Sequence, residues 1–431
     1  MKRTLLSFPF ILWSCADDAS TLFPIVQVRP PVEVAAALKT SIPTSPESLA
    51  VSLDSLPGQL RENNLSLAAA RQLVAEARGK LKGAGLASNP ELEVAFETSR
   101  RFHDFMLTVG ISKKYPRTNR LLIEKRVSQI LIQAAQAEVR DAERLLVGQA
   151  RVALVDILAL RQKKALIADQ EANARKLTEF IEQAAAKGEA SPLDAGVALL
   201  EATRLSNQAK QIEIKEFLAI TKIKPLLGMK PEGKLTVKGS LPEPKMPMMN
   251  VTSYRRPDLE AARLRARSAD SAADLARSKR LDDIEAGVFA GAGRERDEPE
   301  GFEFEQIFGL RFKIPLGENP GAVGEIIESE ARANRLAIGS LALERIANAE
   351  AHAAYAEMKE WQSLAEQIKS RLLPLADEQI KKTEEARAKG QVALREVLLA
   401  KEQKLGLETS YLEAVRDFHL AFANYLTATS Q

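Results

Sequence analysis

The stretch Arg117–Lys187 contains no proline and one glycine, Gly148. At about 1.5 Å per residue it makes a rod on the order of 100 Å long, well beyond an ordinary globular helix. A short amphipathic β-hairpin, Glu91–Tyr115, precedes it, and a second, Ile284–Leu316, precedes another long helical stretch. Two lone hairpins on such rods do not suit a compact soluble domain. They suit a small strand-built membrane segment standing on a helical tunnel.

Charge and composition narrow the partners. There are 61 basic and 58 acidic residues, a formal net charge of +3, so no nucleic-acid or lipid-headgroup partner is implied by charge. One cysteine, Cys15, and three histidines, His103, His352 and His419, allow neither an intramolecular disulfide nor a structural zinc site. No cofactor is expected. With no nucleophile elbow, phosphate loop or convincing carboxylate pair, an enzyme has no support. No apolar stretch of about 18 residues exists, so a membrane crossing would be made by strands.

The first 15 residues read as an export signal. Lys2-Arg3 is the charged end, Leu5–Trp13 the apolar run, and Leu12-Trp13-Ser14-Cys15 resembles a lipoprotein cleavage box, with Trp13 larger than that pattern prefers. Cys15 is the expected lipidation site. Residues 16–56, rich in proline, read as an extended strap.

A tandem repeat organises the rest. Asn63-Asn64-Leu65-Ser66-Leu67-Ala68-Ala69-Ala70-Arg71 aligns with Arg255-Arg256-Pro257-Asp258-Leu259-Glu260-Ala261-Ala262-Arg263. Pro116 corresponds to Pro315, and Ala186-Lys187-Gly188 to Ala388-Lys389-Gly390. The expected units are a first repeat, 57–227, a link, 228–254, and a second repeat, 255–431. Each repeat reads helix, hairpin, long helix, glycine turn, return helix.

The hairpins alternate with period two. Leu92, Val94 and Phe96 interleave with Glu91, Glu93, Ala95 and Glu97, and Phe105, Leu107, Val109 and Ile111 follow in the second strand. The third strand is expected over Ile284–Gly291, and the fourth carries Phe302, Phe304, Phe308, Leu310, Phe312 and Ile314. The tips are expected at Arg100–Asp104 and Gly293–Gly301. Eight of the 15 phenylalanines lie in these two hairpins, more than a plain surface ribbon would carry. Four strands cannot close a barrel in lipid, where open edges are not tolerated. Three chains would give 12 strands, an even number found among membrane barrels.

Alanine-rich helical seams such as Ile130, Leu131, Ala134, Val152, Val155 and Leu158 point to antiparallel coiled coil. Pro374 is expected to kink its helix. Together, Asn89-Pro90-Glu91-Leu92, Arg255–Ala262, Leu372-Leu373-Pro374 and Ala388–Leu398 resemble the TolC-type outer-membrane efflux proteins, over about Pro57–Thr429. Asn89–Glu93 is nearest the heavy-metal branch. The resemblance implies a mainly α chain with a small β part: a long antiparallel coiled-coil α-barrel continuing into a 12-strand transmembrane β-barrel formed by a trimer, four strands per chain. It implies that Lys187, Gly188, Ser191, Pro192, Lys389, Gly390 and Leu394 form the periplasmic tip where an adaptor docks. Asp194, Arg395 and Glu396 would form the gate or constriction, and the Glu396 carboxylates of three copies, converging on one axis as an acidic ring, would favour cations and raise their own pKa values. The tyrosine and arginine that latch some members do not recur; Arg387 and Val392 stand there, leaving Arg387 or Arg395 as the basic partner.

The implied function is a trimeric exit duct in the outer membrane of a Gram-negative-type bacterium, mostly periplasmic. It would take small molecules or metal ions from a periplasmic adaptor (membrane fusion) protein and an inner-membrane transporter. A periplasmic coiled-coil adaptor or scaffold is the alternative. That alternative would have one helical hairpin flanked by compact β-domains.

Overall fold

The computed structural model describes residues 45–98, 104–188, 191–247, 255–297 and 301–430, all within one unit, Pro43–Gln431. Cys15 and the export signal lie outside the described residues, as does the strap before residue 45. The chain is mainly helical. Its order is β1 (Ser48–Val51), α1 (Leu56–Asn63), α2 (Leu65–Gly83), β2 (Glu91–Thr98), β3 (Phe105–Tyr115), α3 (Arg120–Ala186) and α4 (Pro192–Ile223). Then follow β4 (Lys234–Val237), α5 (Pro257–Ser278), β5 (Ile284–Asp297), β6 (Gly301–Lys313), α6 (Ala322–Gln367), a π turn (Ile368–Leu372), α7 (Leu373–Ala388) and α8 (Leu394–Thr429).

Helix α3 is 67 residues long, about 100 Å at the α-helical rise. Its alanines make the close approach possible: Ala134, Ala137 and Ala150 are fully covered, as are Leu154, Ile157 and Leu158. Leu131, expected in the seam, is 39% exposed instead. Element boundaries recur at constant spacing. Arg120 and Ala322, Ala186 and Ala388, and Pro192 and Leu394 each stand 202 positions apart.

The main core lies where β1 and β4 meet the middle of α3. Val51, Leu56, Leu60, Leu154, Leu158, Ile223, Leu227 and Val237 form it with Ala414 and Val415 of α8. Strands β1 and β4 pair in parallel, Ser48 with Lys234 through Val51 with Val237. Residues 16–56 are therefore not simply an extended strap: their end folds into β1 and the start of α1. Four apolar or hydroxylic residues, Ser48-Leu49-Ala50-Val51, are too short a run to announce a strand without the partner that pairs with it.

Pro374 does not break its helix. The Leu373 N–H donates to Ile368 O, five residues back, so the chain widens into a π turn just before the proline. A proline cannot donate to the carbonyl four residues upstream, and the wider turn absorbs the mismatch.

Candidate functional site: the apolar sheet face and the helix tips

Strands β2, β3, β5 and β6 form one antiparallel sheet in that order, leaving β2 and β6 as edges. Register sorts the side chains by face: Val94 stands opposite Val109, Ile111 opposite Val288, and Val288 opposite Leu310. The apolar face is uncovered. Leu92, Val94, Phe96, Leu107, Val109, Ile111, Val288, Phe304, Phe308, Leu310 and Phe312 are all exposed, Phe308 to 80%. An exposed apolar surface of this extent on a water-facing protein marks a lipid or protein contact. No helix among the described residues is long and apolar enough to cross a membrane; that does not bear on strands.

The opposite face is polar and closely fitted. The Phe289 ring lies over Gly309, where an added Cβ would come within 2.4 Å of it. The Arg311 guanidinium sits 5.2 Å from the same ring's centroid and forms an ion pair with Glu93. Glu93 and Arg311 belong to the two edge strands, about 14 Å apart in a flat sheet. Their meeting requires the sheet to curl with its polar face concave.

Strand β5 corrects the expectation of a strand ending at Gly291. It runs on to Asp297, with Gly293 opposite Glu305 and Asp297 opposite Gly301. The loop is therefore shorter than Gly293–Gly301. Its polar residues resembled a turn in the sequence, yet antiparallel pairing with β6 needs no apolar side chains, only a partner backbone.

At the other end of α3 the helix closes with Gly188 at φ +75°, and α7 closes with Gly390 at φ +71°. Nothing lies within 4 Å of a Cβ at either, so the left-handed backbone, not crowding, calls for glycine. The Gln391 N–H returns to Ala386 O at 3.0 Å and closes the second turn. Ser191 caps α4 by accepting from Leu193 N at 3.2 Å, with Pro192 in the first turn. Ala393 stands at the corresponding place before α8 and supplies no side-chain cap. Lys187, Gly188, Ser191, Pro192, Lys389 and Gly390 are all exposed.

Leu394 is different. It is 2% exposed and packs with Ile181 and Ala198, so it holds the two turns together and offers no docking contact. Its position in the first turn gives no warning of this, because the burying partners come from α3 and α4.

The structure brings Asp194 and Arg387 together at 3.7 Å, each about a third exposed. The acid lies in the first turn of α4 and the base in the last turn of α7, each favoured there by its helix dipole. Among the described residues, Arg395 and Glu396 are exposed and make no ion pair. Helix α7 buries no residue; Lys401–Glu384 at 2.8 Å and Lys404–Asp377 at 2.7 Å fasten it to α8.

No protein-family model matches the chain, and no curated protein matches it by sequence. Solved structures do. The outer-membrane channel OprN superposes with a TM-score of 0.71 at 16% identity, covering 88% of this chain and 89% of that one. CusC, described for transmembrane channel formation, gives 0.71 at 18%, covering 88% and 91%. The outer-membrane protein VceC from Vibrio cholerae gives 0.70 at 17%, covering 88% and 95%. The chain has the fold of these outer-membrane proteins. Its two helical hairpins and one open sheet depart from the single hairpin and compact β-domains expected of an adaptor.

Proposed function

We propose that three copies of this chain form the exit duct of a TolC-type tripartite efflux system in the outer membrane. The observation that carries this reading is the four-stranded sheet itself, apolar and exposed on one face, polar and concave on the other, with both edges open. Hydrocarbon does not tolerate unpaired edges, so β6 of one copy pairs with β2 of the next and three copies close a 12-strand barrel. The α-helical hairpins of the three copies continue it as a tunnel, and a tandem duplication accounts for the recurring boundaries. The duct performs no chemistry. Small molecules or metal ions reach it from a periplasmic adaptor and an inner-membrane transporter, and the choice of cargo lies with them. Cys15 carries the lipid anchor; loss of palmitate labelling in Cys15→Ser tests this.

The tip is the gate. Asp194 and Arg387 hold α4 against α7, Glu396 lines the constriction beside Arg395, and the adaptor docks on Lys187, Gly188, Ser191, Pro192, Lys389 and Gly390. An exposed pair of this kind is worth about 0–1 kcal/mol and is screened by salt, so it suits a latch that a docking partner must open. In planar bilayers the wild type is expected to show small cation-preferring conductance. Asp194→Ala and Arg387→Ala should raise it, and Glu396→Ala should weaken the cation preference. Unchanged conductance and selectivity in all three would remove the gate from these residues; failure of the wild type to form channels would remove the duct.

A further inference from the structure

Leu241–Pro247 reads Leu-Pro-Glu-Pro-Lys-Met-Pro and has no regular secondary structure. Its prolines lack donors, and among the described residues no backbone-to-backbone hydrogen bond holds it. Side chains from three helices catch its carbonyls instead. Gln162 of α3 donates to Leu241 O at 3.3 Å, Gln362 of α6 to Pro244 O at 3.3 Å, and His419 of α8 meets Pro242 O at 2.9 Å. Just upstream, Arg161 donates to Val237 O at 2.6 Å. Glu243 pairs at 2.5 Å with Lys369, which lies inside the π turn. Met246 and Trp361 pack against the same cluster of Met358, Phe418 and Tyr425. The segment thus crosses the joint between α6 and α7.

His419 is the fastening that can change state near neutral pH. The residue is 7% exposed, and its ring stands edge-on to Phe418, centroids 5.3 Å apart. A carbonyl only accepts, so Nε2 carries the hydrogen in this contact. Burial pushes the imidazole below its ordinary value, with the bond to Pro242 acting the other way. Charged groups on the elements around it include Glu243 and Lys245 of the segment, Lys369 of the π turn, Glu357, Lys359, Glu360 and Glu366 of α6, Glu413, Arg416 and Asp417 of α8, and Asp156, Arg161 and Lys163 of α3. None hydrogen-bonds the ring: Glu243 is engaged with Lys369, Arg416 with Asp417, and Arg161 with Glu216. What acts on the imidazole is burial and the Pro242 carbonyl, with no charged group among the causes.

We propose that Leu241–Pro247 is a pH-sensitive clasp over the α6–α7 joint, fastened while His419 is neutral and loosened when it takes up a proton. A histidine released to water takes up its proton near pH 6.5. The clasp is therefore fully fastened above that value and weakens as pH falls below it. Once it is loosened, α7, which buries no residue of its own, turns about the π turn and Pro374. The consequence for tip opening rests on the duct reading; the clasp itself does not.

Trp361 reports the clasp, because the only other tryptophan is Trp13. In full-length Trp13→Phe protein in detergent, lowering the pH from 7.5 to 5.5 should redden its emission and raise acrylamide quenching about twofold. His419→Gln, which keeps an amide donor but takes no proton, should abolish the response. A second variant covers poor folding of the first: with Cys15→Ser, Glu243→Cys and Lys369→Cys, a short bismaleimide bridge should suppress the response that the unbridged protein shows. No change in the wild type overturns the proposal. So does a response that persists in folded His419→Gln or in the bridged protein. Because the readout is local, these results do not depend on whether the protein conducts.

Discussion

Arg256 shows how much work a single side chain does in this bundle. It is 5% exposed and donates to Asp258 at 2.7 Å and Glu350 at 2.5 Å. Arg144 joins from α3, 3.7 Å from Asp258, and also bonds Asp141 and the carbonyl of Thr427, both at 2.6 Å. Helices α3, α5, α6 and α8 are tied in one network. Breaking such a pair strands a buried charge, so Asp258→Asn should cost about 3 kcal/mol at neutral pH in thermal unfolding. Burial alone would raise the Asp258 carboxyl; the bonds and charge of Arg256, with Arg144, outweigh it and hold the group below its ordinary value. Its contribution is present above about pH 4 and is lost as pH falls through the lower folded value. The acid branch of the stability curve should accordingly be flatter in Asp258→Asn; an unchanged slope would mean other carboxylates govern it. Gly148 makes a separate prediction. An added Cβ would lie 2.3 Å from Thr427 Oγ1 and 3.0 Å from its Cγ2. Gly148→Ala should cost about 1–3 kcal/mol, and Thr427→Ala should restore most of it; no rescue would place the strain elsewhere.

The sheet is the element on which the faces are most clearly divided, and substitutions should respect the division. Leu310→Lys, on the apolar face, should cost about 2–4 kcal/mol near mid-membrane and lower the amount of assembled protein in outer-membrane fractions. Glu305→Gln, on the polar face, should leave assembly unchanged. Equal loss in both would mean the apolar face does not meet lipid. The alternation of Leu92, Val94 and Phe96 with glutamates made this face legible in the sequence, as did the proline-free run that became α3. What was not legible depended on distant partners. Strand β1 exists because β4 lies beside it, and β5 continues past Gly291 because β6 pairs with it. Pro374 announced a disturbance, but its form as a π turn depends on how the helix settles around the missing donor. The Arg255-Arg256-Pro257-Asp258 motif was visible as a landmark. Its ion network was not, since Glu350 and Arg144 are far away in sequence. At the tip, the glycines and the Ser191–Pro192 start could be read locally, whereas the burial of Leu394 required the third helix.

For the whole molecule, the proposed duct requires this open sheet to be a third of a barrel and the protein to assemble as a trimer in the outer membrane. The fold agrees with that of solved outer-membrane proteins over 88% of the chain. The exposed apolar residues of the sheet continue onto the helices at Leu122, Val323 and Ile327, where neighbouring copies would cover them. The most direct measurement is the mass of the detergent-extracted protein by light scattering, taken together with its distribution between inner- and outer-membrane fractions. The expected result is a particle of three chains, recovered with the outer membrane and aggregating when detergent is removed. A monomer that stays in solution without detergent would contradict it, because the apolar face would then never meet lipid.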